Sequence, residues 1–409
     1  MFSYIIGGIF LFLFLTQGIL AVYFQISKRK NRKFINSLPD KKYAPVVSVI
    51  LPFKGCDCNL EQTVKSLLNQ NYEGKYSLYF VSSEEDSKAV RIVKKLVKNY
   101  SNAHFIKAVK DEVSKYRSDK VNNLLNGVRK ATEDTEVYLF IDSDIVPYKD
   151  WISHMVKPLQ AKACGVTTGS AWIVSEKKDT LLTLAARYWD FLATTMITFP
   201  FTKFARGFSF GLRKETFEKI GMRNVWENAF HDNFTLSTAI RKHKMRILYI
   251  PGCLVSEYFS ITGFEWIKWV KRQAINTKVN FKKLWAFGFF LVTMPRLIGA
   301  VGFIIAAILK MEFQQSNPII TVMLWWPIIF GITSFLVIAA VYPERKNYRD
   351  YPNNIVDLIK LFISAYVSVV YCISSLWAVV SNKMEWRQLF YHEKTPYTTT
   401  TIDERKKKE

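Results

Sequence analysis

The sequence predicts an α/β domain built on a parallel sheet, with α-helical membrane segments on either side of it. Three observations carry that reading. Between about residues 45 and 263, β-branched runs alternate with stretches of helical apolar spacing. Before and after that region the chain holds long, almost uncharged apolar blocks. One of the β-prone runs, Val137-Tyr-Leu-Phe-Ile141, leads directly into Asp142-Ser143-Asp144. Repeated βα units imply parallel strands, with ligands at their carboxyl ends.

The elements follow in order. Residues 2–24 are nearly all apolar, a length that suffices to span a bilayer. A cleaved signal would place basic residues before the apolar run and a small-residue site after it. Here the basic cluster Lys28, Arg29, Lys30, Arg32 and Lys33 follows, which predicts an uncleaved anchor with the succeeding chain in the cytoplasm. Residues 46–52 read as a strand ending in Pro52-Phe53-Lys54-Gly55. Residues 59–69 then place Leu60, Val64, Leu67 and Leu68 on one helical face. A second strand over 76–82 precedes a helix over 87–100, and a third over 103–109 precedes a helix over 120–131. A further amphipathic helix is expected over 233–242. Three more apolar blocks occupy 284–309, 319–342 and 355–380. The first contains Pro295 and Arg296, so its early part is a candidate for lying along the interface. The last contains Asp357, Lys360 and four serines. It is expected to be shallow or re-entrant, because the basic segment 343–354 and the basic tail then share one side of the membrane.

Composition narrows the class. The formal charge is +23, yet 49% of residues are hydrophobic and 15% aromatic. Because the apolar content falls in blocks, the basic residues are assigned to anionic headgroups, and nucleic acid is not expected as a partner. The five cysteines (Cys56, Cys58, Cys164, Cys253, Cys372) show neither a paired framework nor zinc spacing with histidine, so they are expected to be reduced.

Asp142 and Asp144, spaced i, i+2 at a strand end, point to the same side of an extended chain. Such a pair makes sense around Mg²⁺ or Mn²⁺, which take carboxylate and phosphate oxygens together. Its plainer reading is a polar turn. The second strand ends in Ser82-Ser-Glu-Glu-Asp86, where a carboxylate could accept from a uracil N–H or a ribose hydroxyl. It could equally be a solvated helix N-terminus. Lys120, with Asn122 and Asn123 close by, could sit against a diphosphate; a surface lysine is the default. Asp232, after His231, opens a helix and could take a proton from an acceptor hydroxyl. It could also simply cap that helix. Between these, Ala205-Arg-Gly-Phe-Ser-Phe-Gly-Leu-Arg213 carries two glycines that let backbone approach a ligand.

This ordered set resembles the family 2 glycosyltransferases, and within them the ceramide glucosyltransferase branch and its bacterial relatives. The pieces are Val47-Ser-Val-Ile-Leu-Pro-Phe-Lys-Gly55, Ser83-Glu-Glu-Asp86, Lys120-Val-Asn-Asn123, Asp142-Ser-Asp144, Gly207-Phe-Ser-Phe-Gly211, His231-Asp232, and Trp386-Arg387 with Tyr391. The resemblance implies an A-type, Rossmann-like nucleotide-diphospho-sugar transferase fold and a nucleotide-sugar donor, commonly UDP-linked. It implies that Asp86 binds the nucleoside, that Asp142 and Asp144 hold the metal diphosphate, and that Asp232 is the catalytic base. One departure stands out. The family's Gln/Arg-x-x-Arg-Trp element is not reproduced in Trp266-Ile-Lys-Trp-Val-Lys-Arg-Gln273, where Arg272 and Gln273 are the nearest substitutes for donor contact. A tryptophan-and-basic stretch beside a membrane is also a headgroup anchor.

The expected organisation is an anchor over 1–26, a cytoplasmic catalytic domain over 45–280, membrane or interfacial helices over 281–382 and a basic cytoplasmic tail over 383–409. The expected partners are a nucleotide-sugar, a membrane lipid acceptor and the bilayer. The expected place is a bacterial inner membrane, or the endoplasmic reticulum or Golgi of a eukaryote. Two rival readings are a processive polysaccharide synthase, which needs more spans and the intact element, and a non-catalytic scaffold, which would not need Asp142, Asp144 and Asp232.

Overall fold

The computed structural model describes residues 1–39, 43–55, 57, 59–111, 117–175, 180–200, 202–258, 263–314, 316–343, 355–386, 389–395 and 398–402. The chain forms two compact units. One gathers Lys28–Lys178, Lys203–Ser260 and Glu385–Glu409, and the other gathers Met1–Ser27, Asp179–Thr202 and Ile261–Met384. Cys56, Cys58, Arg387, Lys406, Lys407 and most of the basic segment 343–354 lie outside the described residues.

The first unit is organised by an eight-stranded sheet. Its strands are β1 (Val47–Pro52), β2 (Tyr76–Ser82), β3 (Ala103–Lys107), β4 (Val137–Ile141), β5 (Ile145–Val146), β6 (Cys164–Val174), β7 (Ser209–Arg213) and β8 (Arg246–Tyr258), in the order β3-β2-β1-β4-β7-β6-β8-β5. β3, β2, β1 and β4 run parallel, as the βα alternation predicts. β7 and β5 run antiparallel to their neighbours, so the sheet is mixed rather than wholly parallel. Where β7 pairs with β4, Gly211 lies opposite Leu139; an added Cβ would come within 2.3 Å of the Leu139 side chain, so this close pairing needs a residue without one.

Burial on both faces explains the near-continuous hydrophobic runs. Val47, Val49, Leu51, Leu139 and Ile141 pack into one core with helices Leu60–Leu68 and Lys88–Val97. Ile50, Tyr138 and Phe140, pointing the other way, pack into a second core with helix Asp119–Lys130 and with Trp226 and Leu236. Ser87 and Ser118 start their helices by accepting from Val90 N and Val121 N. The strand order reverses between β1 and β4, the place in an open α/β sheet where a ligand crevice forms.

The second unit is helical. Among the described residues three helices are long and apolar enough to cross a membrane: Phe2–Asn36, Lys282–Phe313 and Pro318–Val341. Within the second of these a single π turn over 289–293 precedes Pro295, whose missing N–H interrupts regular pairing. Block 355–380 forms two shorter helices, Ile355–Val367 and Val370–Val380. At the break Ser368 Oγ bonds back to Ala365 O and Ser364 Oγ to Leu361 O, local bonds that compete with a regular helix. Helix Leu181–Ile197, which the sequence reading kept inside the catalytic span, belongs to this unit. Its Tyr188 hydroxyl donates to Ser334 Oγ at 2.9 Å and accepts from Arg296 Nη2 at 3.3 Å, while Nη2 also donates to Gln17 Oε1 at 2.7 Å. Polar groups on four helices thereby bond to one another inside an apolar unit.

The sheet's tightest junction lies where β6 meets β8. The register shifts between Thr168 and Ser170, and a Cβ on Gly169 would sit 2.1 Å from the Cys253 carbonyl oxygen. Gly169→Ala is therefore expected to destabilise the protein by about 1–3 kcal/mol, the usual range for overpacking. Thermal unfolding of the two proteins checks this; equal melting temperatures would show that the β6–β8 junction can open.

Candidate active site

Three segments distant in sequence meet at the carboxyl end of β4. Directly after Ile141 the chain turns: Asp142 N donates to Phe208 O at 3.1 Å, and Ile145 N donates back to Asp142 O at 3.3 Å. Ser143 Oγ donates to Asp57 Oδ2 at 2.6 Å, and Ser143 O accepts from Thr63 Oγ1 at 3.3 Å. These bonds fix the turn that presents Asp142 and Asp144.

Lys120 enters from the first turn of helix Asp119–Lys130, whose position is set by Ser118 Oγ donating to Phe230 O at 2.7 Å. Its ammonium lies 2.7 Å from Asp142 Oδ1 and 3.2 Å from Asp232 Oδ2, and donates to Gly207 O at 3.0 Å. An ammonium has three protons, and three protein oxygens surround this one. Burial works to lower the Lys120 pKa, but the charges of Asp142 and then Asp232 outweigh it and hold it above the ordinary lysine value.

Asp232 is the first residue of helix Asp232–Lys242, and the residue before it, His231, makes no side-chain cap bond. The helix-capping reading of Asp232 thus has no hydrogen bond behind it. The carboxylate is almost wholly buried, at 3% exposure, and its Oδ2 has no aligned hydrogen-bond partner although the ammonium is close. Trp226 Nε1 donates to Asp232 O at 3.2 Å and anchors the helix start. The glycine-bearing segment beside it is equally fixed. Ala205 N donates to Ser237 Oγ at 2.9 Å, Arg206 N to Thr168 Oγ1 at 2.9 Å, and Asn233 Nδ2 to Ala205 O at 3.0 Å.

A second charged group was not singled out by the sequence reading. Lys54, just past β1, pairs with Asp119 at 2.7 Å, and Lys110 pairs with the same carboxylate at 3.1 Å. Burial acts to raise the Asp119 pKa, yet bonding and charge from Lys54, with Lys110, leave it lowered. The signal available in the sequence was a lysine ending the first strand. Asn122, noted beside Lys120, is buried; it accepts from Arg117 Nε at 3.0 Å and donates to Val109 O at 3.1 Å, holding the exit of β3.

The structure thus brings together Lys120, Asp142 and Asp232, with Asp144 two residues beyond Asp142. Asp86 lies after β2, exposed, 3.5 Å from Arg91. Arg272 and Gln273 are half-buried on helix Gly263–Asn280, in the other unit. Cys164, Cys253 and Cys372 are buried free thiols. Among the described residues no cluster of three or more His, Cys, Asp or Glu is arranged to hold a metal ion. Asp142 and Asp144 fit a different donor set, in which one or two carboxylates bind the cation and substrate phosphates supply further oxygens.

The parallel half-sheet, its mixed extension and a carboxylate-bearing turn after β4 are the architecture of an A-type glycosyltransferase, joined here to long apolar helices. The chain belongs to glycosyl transferase family 21, a family 2-like group, whose model matches residues 10–395. The resemblance expected from the ordered motifs is borne out. "Ceramide glucosyltransferase 3" of Caenorhabditis elegans is 25% identical over 284 residues, which cover 65% of this chain and 58% of that relative. The match therefore spans little more than half of the relative's length. A solved structure is also similar: mannosyltransferase PcManGT from Pyrobaculum calidifontis, in complex with GDP-Man and Mn²⁺. It has a TM-score of 0.45 and 14% identity, covering 89% of this chain and 99% of that one.

The raised Lys120 pKa carries a pH consequence. A lysine whose folded pKa exceeds its unfolded value adds stability that is full below the ordinary lysine range and is lost only as pH climbs through the raised value. Removing Lys120 would leave the buried Asp232 carboxylate without its ion-pair partner, which costs about 3 kcal/mol or more. The stability gap between the wild type and Lys120→Met is expected to stay near that size between about pH 7 and 9. It should close only in stronger alkali. Denaturant unfolding at several pH values measures it, and a gap already shrinking between those two values would contradict the pairing.

Proposed function

We propose that this chain is a membrane-embedded, inverting glycosyltransferase. It moves a sugar from a nucleotide-diphosphate donor, UDP-linked by the family resemblance, to the hydroxyl of a membrane lipid such as ceramide. The observation that carries the reading is the buried Asp232 Oδ2, without an aligned hydrogen-bond partner and 3.2 Å from the ammonium that also holds Asp142. A base and a diphosphate-site carboxylate are thereby spaced for a single reaction centre. Similarity to a ceramide glucosyltransferase favours a lipid acceptor.

In this reading the acceptor hydroxyl hydrogen-bonds to Asp232 Oδ2, which receives its proton as the acceptor oxygen attacks the anomeric carbon. The bond from that carbon to the diphosphate oxygen breaks on the opposite face, so configuration inverts. Asp142 and Asp144 would hold a Mg²⁺ or Mn²⁺ ion, which when bound neutralises charge on the departing diphosphate. Asp86 accepts from the nucleoside, and Lys120 serves the diphosphate. Arg272 and Gln273 stand in for the altered element of the family. A nearly isosteric Asp232→Asn is expected to lower turnover by about a hundredfold to ten-thousandfold. Donor affinity and melting temperature should change little, because no cap bond is lost. Near-normal turnover would remove Asp232 from the role and make His231 the next candidate. Comparing the lipids of host cells with and without the protein by mass spectrometry identifies the product; no new glycolipid in cells expressing it would count against a lipid acceptor.

The expected domains and topology join this proposal: an anchor over 1–26, a catalytic domain over 45–280 and a tail over 383–409 on the same, cytoplasmic side. Neither helix of block 355–380 is among the three of spanning length, which favours that arrangement. A cysteine placed at Thr398 is expected to resist an impermeant reagent in sealed cells. Labelling from outside would show that the block crosses fully.

A further inference from the structure

We propose that Lys120 is the site's resident counter-cation, displaced from Asp142 when a divalent cation binds there, so that donor binding uncovers the base Asp232. The inference rests on the reading above and concerns this chain's own residues. Its first support is position. The ammonium is placed 2.7 Å from Asp142 Oδ1, 3.2 Å from Asp232 Oδ2 and 3.0 Å from Gly207 O. Reaching a diphosphate would draw it away from these oxygens. Its second support is charge. Asp142 holding both the ammonium and a divalent ion would put like charges about 4 Å apart, a repulsion many times thermal energy even at the effective dielectric of a protein surface.

The direction of exchange follows. A divalent cation at Asp142 brings twice the charge of the ammonium to the same carboxylate and so outcompetes it there. A diphosphate then brings fresh negative charge beside it. A flexible lysine stem can carry its compact charge across, where a planar guanidinium fork would be tied to one geometry. Once the ammonium has moved, Asp232 Oδ2 no longer has that positive charge beside it and is free to take the acceptor's proton. The device orders events: donor first, proton abstraction second, with the base covered while the site is empty.

The test uses full-length protein in detergent, without nucleotide, and counts bound Mn²⁺ by electron paramagnetic resonance. Asp142→Asn is expected to lose the ion. The double variant Lys120→Met with Asp232→Asn keeps the wild-type net charge, so charge alone predicts unchanged affinity. Displacement predicts binding at least about tenfold tighter, because Asp142 is no longer contested. Loss of Mn²⁺ in Asp142→Asn with no tightening in the double variant overturns the displacement and leaves the cation reading standing. Binding that Asp142→Asn does not alter overturns both. A second measurement needs no variant: acylation of Lys120 in the wild type, followed by peptide mass spectrometry. Mn²⁺ alone should speed it severalfold, and an unchanged rate overturns the proposal.

Discussion

The pairing of one half-buried ammonium with two carboxylates from distant segments ties together the elements of the candidate site. Lys120 comes from a helix start, Asp142 from a strand end and Asp232 from the start of another helix. Asp232 could not be buried singly without a large desolvation penalty. Together they are tolerable, and Asp232 gains further from its place in the first turn of a helix, where the backbone dipole favours negative charge. The surrounding bonds serve this arrangement. Ser118 ties the lysine helix to Phe230, just ahead of Asp232, while Ser237, Thr168 and Asn233 hold the segment that supplies Gly207 O.

The helical unit answers to a different constraint. Its three long helices expose many large apolar side chains, among them Ile5, Ile9, Phe12, Ile304, Ile308, Trp325 and Ile332. Such a surface suits lipid rather than water. The polar groups lie inside: Arg296 is only 1% exposed, its Nη2 bonded to Gln17 and Tyr188, and its guanidinium lies over the rings of Tyr188 and Phe330 at 5.5 and 5.6 Å. Apolar faces outward and polar groups gathered inward is the arrangement a bilayer favours.

Much of this was legible in the sequence because it is local. β-branched runs mark strands buried on both faces, Ser118 and Ser87 mark helix starts, and Asp142-Ser143-Asp144 marks a strand end with chemistry. What stayed hidden depends on pairing between remote segments. Nothing near Lys120 announces that its partners are Asp142 and Asp232, or that Lys54 and Lys110 share Asp119. The antiparallel pairing of β7 with β4, with Gly211 packed closely against Leu139, is visible only once both strands are placed. Helix Leu181–Ile197 shows the same limit. Its apolar residues are as compatible with a soluble core as with the helical unit, and the bonds of Tyr188 to Ser334 and Arg296 decide between them.

The charge balance of the site is itself an argument about purpose. If the segments bearing Lys120, Asp142 and Asp232 merely had to be joined, well-packed apolar side chains would serve as well or better, since buried ion pairs often contribute less stability than hydrophobic replacements of similar size. Asp144 adds a further carboxylate two residues beyond Asp142, and carboxylates crowded at a strand end favour a cation between them. Asp232 adds a second expense, a carboxylate buried to 3% exposure whose Oδ2 has no aligned hydrogen bond. In the proposed reaction both features would be relieved, by a cation against Asp142 and Asp144 and by a hydroxyl proton against Asp232. A site that is most nearly satisfied only when donor and acceptor are present is organised for the reaction rather than for the fold.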